Sequence, residues 1–432
     1  AGLFAAPPGP AVPLAAPIGS IRIPVENIDG ALLIKATLFQ GEQIDTTVSL
    51  VLDTGAGYLA LEPSLIQWLG LSDREVDEMT FAPRPLRRLR VGDFQQDVVG
   101  PVLGVDVGVI ERATDRKVLG LLGQEPLGSF AIRIDYRSDT LALIPMRRDG
   151  ISATQPRRMT AVDMAASSAA VAMARNASRE ALGGALSAGA VCLPFQMEGD
   201  GKILVKAELD DTKNGAGNEP LTLVLDTGAT KTVIFESQLA RVRGSAKWKE
   251  LRGLSAPTLY GTEMTYLSRV PCLTVTGGGT RVSARDVDVA VMESQLEEAL
   301  SQAVHQPVDG LLGYSFLRRF RITIDYPHRV LWLEPVRVPR DQRPFEYSHV
   351  GIQVERNDGA LRAAAVAVGS PAATAGVRAG DEILAIDGSA AGTLDVVSLS
   401  RKLEGPPGSR VTVRLRRGTA ERTYRLTRRE LL

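Results

Sequence analysis

The stretch SLVLDTGAGYLALEP, residues 49–63, returns later in the chain as TLVLDTGATKTVIFE, residues 222–236. The two copies share seven consecutive residues, LVLDTGA, and each is a run of strand-forming apolar residues that ends in Asp-Thr-Gly. Each strand therefore brings a carboxylate to a tight turn, where glycine permits backbone angles that other residues resist. The repeat predicts two equivalent and rigidly held carboxylates, Asp53 and Asp226.

The repeat extends beyond these turns. GLLGQEPLGSFAIRIDYRSDTLALIP begins at Gly120, and GLLGYSFLRRFRITIDYPHRVLWLEP begins at Gly310. Both copies have short apolar runs rich in Val, Ile, Leu and Thr, bounded by Gly, Pro and Asp, which indicates strands. The sequence therefore predicts a duplicated, mainly β domain whose second copy is longer in its middle section.

Changes in composition divide the chain into five parts. A Pro-rich tail (1–19) precedes a first lobe (20–148), and an Ala-rich linker (149–187), helical or flexible, leads to a second lobe (188–338). A junction of Pro and Arg then opens a unit of its own (339–432), with strands, an Ala-rich turn of helix and Gly-punctuated hairpins.

Composition excludes several kinds of function. The 432 residues carry 50 Lys and Arg against 50 Asp and Glu, so no overall positive field attracts nucleic acid. No run of about 18 apolar residues predicts a membrane-spanning helix. Three His and two Cys are too few for common zinc sites, so we expect no metal and no cofactor, and chemistry that depends on carboxylates. Cys192 and Cys272 could pair or remain separate buried thiols.

Two carboxylates that face each other would share one proton. At about 3 Å and an effective dielectric of ~20, two unit charges repel by roughly 5 kcal/mol, which equals about four pKa units. The ionised member could take a proton from an attacking water while the protonated member hydrogen-bonds a carbonyl oxygen. Such a pair would hydrolyse a peptide bond without a metal or a covalent intermediate.

With two LVLDTGA segments and two downstream GLLG segments, residues 20–338 resemble the aspartic proteases. The resemblance implies two retropepsin-like β-barrel lobes fused in one chain and related by a pseudo-two-fold axis, with Asp53 and Asp226 as the catalytic pair. The implied loop-supporting residues are Thr54 and Thr227, which interlock across the axis, and Gly55 and Gly228, which shape the turns.

Alanine follows each Asp-Thr-Gly, at Ala56 and Ala229, as in retroviral-type proteases, whereas pepsin-like enzymes usually carry Ser or Thr there. A hydroxyl that would bond the outer carboxylate oxygen is therefore missing on both sides. Because a donor to the charged form lowers a pKa, its loss raises the pKa values of the pair. We expect activity at weakly acidic to neutral pH.

A covering flap is expected in the second lobe, in LSAPTLYGTEMTYL, with Tyr260 and Gly261 at the tip of a hairpin. The alternative is an ordinary surface hairpin. The corresponding segment of the first lobe, MTFAPRPLRRLRVG, has two Pro and no Gly before Gly92, so it departs from the glycine-rich flap pattern. The sequence therefore does not support two symmetric flaps.

The C-terminal unit resembles a PDZ domain of the circularly arranged type found in bacterial proteases, most specifically in GSPAATAGVRAGDEILAIDG, residues 369–388. The resemblance implies an α+β, partly open barrel in which a peptide, such as a protein C-terminus, adds as a strand. The alternative is a groove that the protein's own chain occupies or that braces the second lobe. The implied binding residues are His349, Val350, Gly351 and Ile352.

These features together predict a bacterial aspartic endopeptidase with a PDZ domain that recruits substrate or regulates activity. Its partners would be a protein or peptide substrate and a PDZ ligand. The fused lobes need no second chain, so a monomer is expected, and a signal peptide removed before Ala1 would make the protein periplasmic or secreted. The alternative is a peptide-binding adaptor that retains the turns without cleaving.

Overall fold

The structure is a computed structural model. The proposed tail, residues 1–19, the first half of the Ala-rich linker, residues 149–167, and the predicted boundary between residues 338 and 339 lie outside the residues it describes. Within the described part of the chain, no helix has the length and apolar character needed to cross a membrane. The described residues are 20–41, 44–98, 100–146, 168–209, 220–243, 248–336 and 348–432.

In the first lobe, two central strands run side by side to the Asp-Thr-Gly turn. Val51 and Leu52 pair in parallel with Leu121 and Leu122 of the GLLG segment. All four side chains are buried, which explains why these strands are continuous apolar runs and not alternating ones. The elements are β1 (Ile21–Ile28), β2 (Ala31–Gln40), β3 (Ile44–Leu52), β4 (Leu59–Leu61), α1 (Pro63–Trp68), β5 (Arg88–Val91), β6 (Phe94–Asp97), β7 (Val102–Gly104), α2 (Gly108–Thr114), β8 (Gly120–Leu122), a 3₁₀ turn (Glu125–Leu127), β9 (Phe130–Asp135) and β10 (Thr140–Pro145).

The second lobe repeats this arrangement, with Val224 and Leu225 beside Leu311 and Leu312. The duplicated β fold is thereby confirmed. The greater length of this copy forms three long antiparallel strands in its middle section. The elements from the linker onward are α3 (Ser168–Leu182), a 3₁₀ turn (Gly183–Ala185), β11 (Val191–Pro194), β12 (Gln196–Glu198), β13 (Lys202–Leu209), β14 (Leu221–Leu225), β15 (Thr232–Phe235), α4 (Glu236–Arg243), β16 (Glu250–Thr258), β17 (Gly261–Gly277), β18 (Thr280–Met292), α5 (Gln295–Val304), β19 (Gly310–Leu312), α6 (Tyr314–Leu317), β20 (Phe320–Asp325) and β21 (Val330–Pro335).

A continuous sheet joins the lobes through β9 and β20, in the order β11-β21-β20-β9-β10-β1. Arg133 lies opposite Thr323, its own counterpart in the repeat, and Ile132 and Ile134 lie opposite Ile324 and Ile322. Arg133 thus pairs with its own equivalent, and the residues on either side of it pair symmetrically. A pseudo-two-fold axis therefore passes through the pair of Arg133 and Thr323. This axis places equivalent residues of the two lobes opposite each other.

Buried ion pairs cross the same boundary. The Arg133 guanidinium lies 2.9 Å from Glu334, and the Arg321 guanidinium lies 2.8 Å from Asp135. Each pair joins one lobe to the other, and all four side chains are at least 86% buried. Such pairs stabilise little relative to apolar packing, but the loss of one partner is costly because the other charge stays buried.

The described part of the linker is helical. On α3, Ser178 accepts a hydrogen bond from the buried Trp332 indole at 2.9 Å, and Arg179 stacks 4.7 Å from the centre of the indole ring. Cys192 lies in the same apolar cluster as Trp332. Cys192 and Cys272 are both free thiols, but only Cys192 is buried and Cys272 is half-buried, so the expectation of two separate buried thiols holds for Cys192 alone.

The C-terminal unit has its own sheet, in the order β23-β24-β25-β27-β28, and its own apolar core. Its helices begin at capping residues: Ser370 accepts a bond from Ala373 N–H, and Asp395 accepts one from Ser398 N–H at 2.7 Å. The elements are β22 (Ser348–His349), β23 (Ile352–Asn357), β24 (Ala360–Val366), α7 (Pro371–Ala375), β25 (Glu382–Ile386), β26 (Ser389–Ala390), a 3₁₀ turn (Ala391–Thr393), α8 (Val396–Leu403), β27 (Arg410–Arg417), β28 (Ala420–Thr427) and β29 (Arg429–Glu430).

Candidate active site

The two Asp-Thr-Gly turns meet at the boundary between the lobes. The carboxyl groups of Asp53 and Asp226 face each other within hydrogen-bonding reach. A Cβ added to Gly55 would lie 2.8 Å from Cγ of Asp226, and one added to Gly228 would lie 2.8 Å from Cγ of Asp53. Real Cβ atoms do not approach other atoms so closely, so each glycine leaves the space that the opposite carboxyl group fills.

Backbone donors orient both carboxylates in the same way. In each lobe the aspartate Oδ1 accepts hydrogen bonds from the glycine N–H, at 2.8 Å, and from the N–H of the following alanine, at 3.1 Å. Among the hydrogen bonds of the described residues, no side-chain hydroxyl reaches either carboxylate, since Ala56 and Ala229 carry none. The outer oxygens are therefore left to each other and to a bound water or substrate.

Thr54 and Thr227 lock the turns together beneath the carboxylates. The Thr54 backbone N–H donates to Oγ1 of Thr227 at 3.1 Å, and its hydroxyl donates to the Leu225 carbonyl at 2.9 Å. In the second lobe, the Thr227 backbone N–H donates to Oγ1 of Thr54 at 3.0 Å, and the Thr227 hydroxyl donates to the Leu52 carbonyl at 2.9 Å. Both threonines are almost fully buried, so water does not compete for these bonds.

The GLLG segments hold the turns from behind. The Leu122 carbonyl accepts the Asp53 N–H at 3.0 Å, and the Leu312 carbonyl accepts the Asp226 N–H at 3.1 Å. These bonds continue the parallel pairing of the central strands to the reactive residue itself. The GLLG segment, which recurs in both copies of the repeat, therefore supports the Asp-Thr-Gly turn in each lobe.

Burial raises the pKa of both aspartates, because the charged form loses hydration. The pKa of Asp226 is raised well above its usual value, by burial first and then by the negative charge of Asp53. Burial also raises the pKa of Asp53, and the neighbouring Asp226 carboxyl, the backbone hydrogen bonds from Gly55 and Ala56 and the charge of Lys202 oppose this effect. The two carboxyl groups therefore titrate as a coupled pair that holds one proton.

Lys202 was not singled out from the sequence. Its ammonium lies 2.7 Å from both carboxylate oxygens of Asp200, at the turn before β13, and its side chain is 9% exposed. Asp200 packs against the first-lobe turn so closely that a Cβ added to Gly57 would lie 2.3 Å from Oδ2 of Asp200. The first-lobe position aligned with Lys202 is Ala31, so this charge makes the pair of lobes electrostatically unequal.

The tyrosines of the two IDY segments also lie near the aspartates, and the sequence assigned them no role. Tyr136 and Tyr326 are buried, and burial raises the pKa of both hydroxyls. The negative charge of Asp226 further raises the pKa of Tyr136, and that of Asp53 further raises the pKa of Tyr326. Each tyrosine therefore lies close enough to the aspartate of the other lobe for their charges to interact. Their appearance in the repeat was the signal that could have identified them.

A long hairpin occupies the segment in which a flap was predicted, and its role as a flap stays a prediction. Tyr260 and Gly261 lie at the turn between β16 and β17, where Tyr260 N–H donates to Thr258 Oγ1 at 3.1 Å and Gly261 has a φ of +104°. Leu259 beside them packs on the same apolar cluster as Ala56, three residues after Asp53 in the chain. The corresponding first-lobe segment, residues 79–92, forms no such hairpin among the described residues and makes one bridge before reaching β5.

The proposed PDZ-binding residues run from the end of β22 to the first residue of β23. His349 belongs to β22, which pairs with β29, and Gly351 has a φ of +84°. Val350 and Ile352 have their side chains in the domain core. Any peptide contact here would therefore use the backbone of the edge strand β23. The assignment of these four residues to peptide binding stays a prediction.

Comparison with known proteins identifies two segments. Residues 206–316 match the family model described as aspartyl protease, and residues 362–417 match the model described as PDZ domain. No curated protein matches the chain. The aspartyl protease match contains Asp226 and lies within the second lobe, to which the first lobe is related by the sequence repeat and the interlobe axis.

Two solved structures show partial similarity. A photosystem II D1 C-terminal processing protease is 34% identical over 20% of this chain and 24% of its own, with a TM-score of 0.19, so the match spans about a quarter of that protein. An aspartic proteinase from Irpex lacteus is 12% identical over 74% of this chain and 98% of its own, with a TM-score of 0.40. By its family matches and its fold, the chain joins an aspartyl protease-like domain to a C-terminal PDZ domain.

Proposed function

We propose that the protein is an aspartic endopeptidase in which Asp53 and Asp226 activate water. The observation that carries the proposal is the facing pair of carboxyl groups, each against the glycine of the opposite turn and held by the reciprocal bonds of Thr54 and Thr227. Neighbouring carboxylates whose pKa values differ can divide the roles of base and acid.

The proposed chemistry needs one proton on the pair, and in the proposed scheme that proton starts on Asp226. Water attacks the scissile carbonyl carbon while ionised Asp53 takes a proton from it, and Asp226 donates its proton to the carbonyl oxygen. The resulting gem-diol collapses when the C–N bond breaks and the proton held by Asp53 passes to the amine. Asp226 regains a proton from the gem-diol hydroxyl, so the pair ends each turnover with one proton.

The substrate is proposed to lie extended between the lobes, under the β16–β17 hairpin, where backbone groups can pair with it as with an added strand. The PDZ domain is proposed to recruit substrate or regulate cleavage. One chain supplies both aspartates, which supports a monomeric enzyme, and size-exclusion chromatography with light scattering tests this state. Export to the periplasm or outside the cell stays a prediction, to be tested by cell fractionation.

The test uses the full chain and a diverse peptide library at several pH values between about pH 3 and pH 8, the range over which a carboxyl pair titrates. Mass spectrometry of the product termini reports both cleavage and specificity. Asp53→Asn and Asp226→Asn are expected to abolish cleavage and leave the circular dichroism unchanged, whereas Asp286→Asn, an exposed site in the second lobe, retains it. Undiminished turnover in either dyad variant defeats the assignment.

The asymmetric flap favours a second candidate, a peptide-binding adaptor that does not cleave. Only one lobe has the long hairpin, so closure over a bound peptide is one-sided among the described residues. Peptide binding by the wild-type protein without any cut ends at any pH supports the adaptor. Cut ends that vanish in Asp226→Asn support the enzyme.

A further inference from the structure

The peptide groove of the PDZ domain is already covered. Its walls are the edge strand β23 and the helix α8, which pack beside each other. Helix α2 of the first lobe lies against both walls. A peptide that adds to β23 as a new strand needs the space that α2 occupies. Of the sequence alternatives, occupation by the protein's own chain is therefore the one that these contacts favour.

Asp115, the C-cap residue that follows α2, is held by both walls of the groove. Its Oδ1 lies 2.6 Å from Nε of Arg356 on β23, and its Oδ2 accepts the N–H of Val396, the first residue of α8, at 3.2 Å. The Arg356 guanidinium also donates to the Leu394 carbonyl at 2.9 Å, which fixes its direction. The side chains of Asp115 and Arg356 are 15% and 26% exposed, so this carboxylate site is largely shielded from water.

A second ion pair and an apolar contact complete the interface. Arg116 lies 3.2 Å from Asp395, the residue that caps α8, and 2.7 Å from Glu26 of the first lobe. Val397 of α8 and Ile110 of α2 pack on the same apolar cluster. Helix α2 thus meets the groove as a ligand would, with an acidic group at one end and an apolar side chain beside it.

The same strand β23 contacts the β16–β17 hairpin, the proposed flap. The Gln353 amide accepts the Ser255 N–H at 3.0 Å and donates to the Ser255 carbonyl at 2.7 Å, so it pairs with β16 as a strand backbone would. The Arg252 carbonyl accepts the Val368 N–H at 2.8 Å. Leu259 at the flap tip packs on the cluster that α2 and α8 share. The groove, α2 and the flap are therefore one connected interface.

We propose that α2 is an internal ligand of the PDZ groove, and that the groove takes an extended peptide whose acidic side chain replaces Asp115 at Arg356. Such a peptide competes with α2 and releases the PDZ domain from the first lobe and from the flap hairpin. The effect of release on cleavage rests on the proposed function, whereas the binding itself does not.

The test measures binding by fluorescence anisotropy, with the full chain carrying Asp226→Asn so that no peptide is cut. The probes are fluorescein-labelled ten-residue peptides with a free C-terminus and one Asp at each of the last five positions in turn, each with an Asn counterpart. The substitution Asp115→Asn removes the internal charge and keeps a residue that tolerates the left-handed φ of 55° found there. It is expected to tighten binding of the best Asp peptide by about tenfold, because a competing group no longer fills the site.

Asp286→Asn is the matched control, since Asp286 also has a left-handed φ, of 51°, and lies exposed in the second lobe. It is expected to leave the affinity unchanged. Arg356→Gln is expected to free the groove and to abolish the preference for Asp over Asn, with thermal unfolding of each variant as the check on folding.

Equal affinity in the parent and Asp115→Asn overturns the proposal, as does equal binding of Asp and Asn peptides at all five positions or no binding by any of them. None of these results depends on catalysis. A chain that binds in this way and never cleaves would contradict the proposed function alone, and a chain that cleaves but shows no Asp115 effect would contradict this inference alone.

Discussion

Thr54 and Thr227 each donate a backbone N–H to the other's hydroxyl, and each hydroxyl donates in turn to a carbonyl of the opposite lobe. The carboxylates next to them are therefore positioned by the junction of the two lobes and not by either lobe alone. A substitution that breaks these hydrogen bonds should therefore displace the two carboxyl groups, although it replaces neither aspartate.

The first prediction removes one hydroxyl. Thr54→Val keeps the shape of the side chain and leaves the Thr227 N–H and the Leu225 carbonyl without partners in a buried site. A buried unsatisfied group costs about 1–3 kcal/mol, so we expect lower stability in chemical denaturation and a loss of turnover larger than the loss of folded protein. Thr54→Ser keeps the hydroxyl and should retain most of both properties; equal damage in the two variants would argue against this role.

The second prediction concerns stability and pH. Burial raises the pKa of Asp226 in the folded protein, so the folded state binds more protons than the unfolded state between the two pKa values, and stability falls as pH rises through that range. Asp226→Asn removes this penalty. We expect a higher Tm than wild type at about pH 7, with roughly 2–4 °C for each kcal/mol released, and little gain at about pH 3, where the wild-type carboxyl is protonated in both states. A gain independent of pH would contradict the explanation.

The third prediction restores a missing donor. Ala229→Ser places a hydroxyl next to the outer oxygen of Asp226, where wild type has none. A hydrogen bond to the charged carboxylate lowers its pKa, so the alkaline limb of the kcat/KM profile should move to lower pH by about one unit. Wild type should be most active at weakly acidic to neutral pH. A wild-type optimum in the range where pepsin titrates, or an unshifted limb in the variant, would refute the argument from Ala56 and Ala229.

The fourth prediction tests the flap. Leu259→Ala removes the side chain that joins the hairpin tip to the cluster near Ala56. Because the hairpin then closes less firmly over the substrate, kcat/KM should fall by about tenfold or more. Met264 lies on the same hairpin with 69% of its surface exposed, so Met264→Ala is the matched control and should change little. Equal losses of kcat/KM in Leu259→Ala and Met264→Ala would show that the packing of Leu259 does not help the hairpin to close over the substrate.

The fifth prediction tests the interlobe ion pairs. Glu334→Gln leaves the buried Arg133 without its partner charge, which costs about 3–5 kcal/mol. We expect a lower denaturation midpoint and a parallel loss of activity. The exposed pair of Arg84 and Asp73 provides the control, since Asp73→Asn should change stability by less than about 1 kcal/mol. Similar midpoints for the two variants would show that the buried pair does not hold the lobes together.

The site could be predicted from the sequence where its residues recur at matching positions. Asp53, Asp226 and their threonines stand inside identical heptapeptides, so the duplication alone indicated that they act as a pair. The expected hairpin tip at Tyr260 was likewise visible, because a glycine there follows one strand signal and precedes another. Lys202 could not be found in this way, because the equivalent position in the first lobe is not a lysine. Its effect on the pKa of Asp53 arises only because the turn before β13 in the second lobe packs against the first-lobe turn.

What the chain's residues determined by themselves is local: apolar strands, the turns that end them, the duplication, and hence the chemistry of a carboxyl pair. Strand period and glycine positions are properties of neighbouring residues, so they can be recognised without a structure. The tertiary structure alone decided that the charge of Lys202 lies beside the carboxyl pair, and that α2 covers the PDZ groove. Both outcomes arise from charges brought together across long distances in sequence, such as Asp115 and Arg356, and electrostatic energy depends on the separation of charges in space and on their burial.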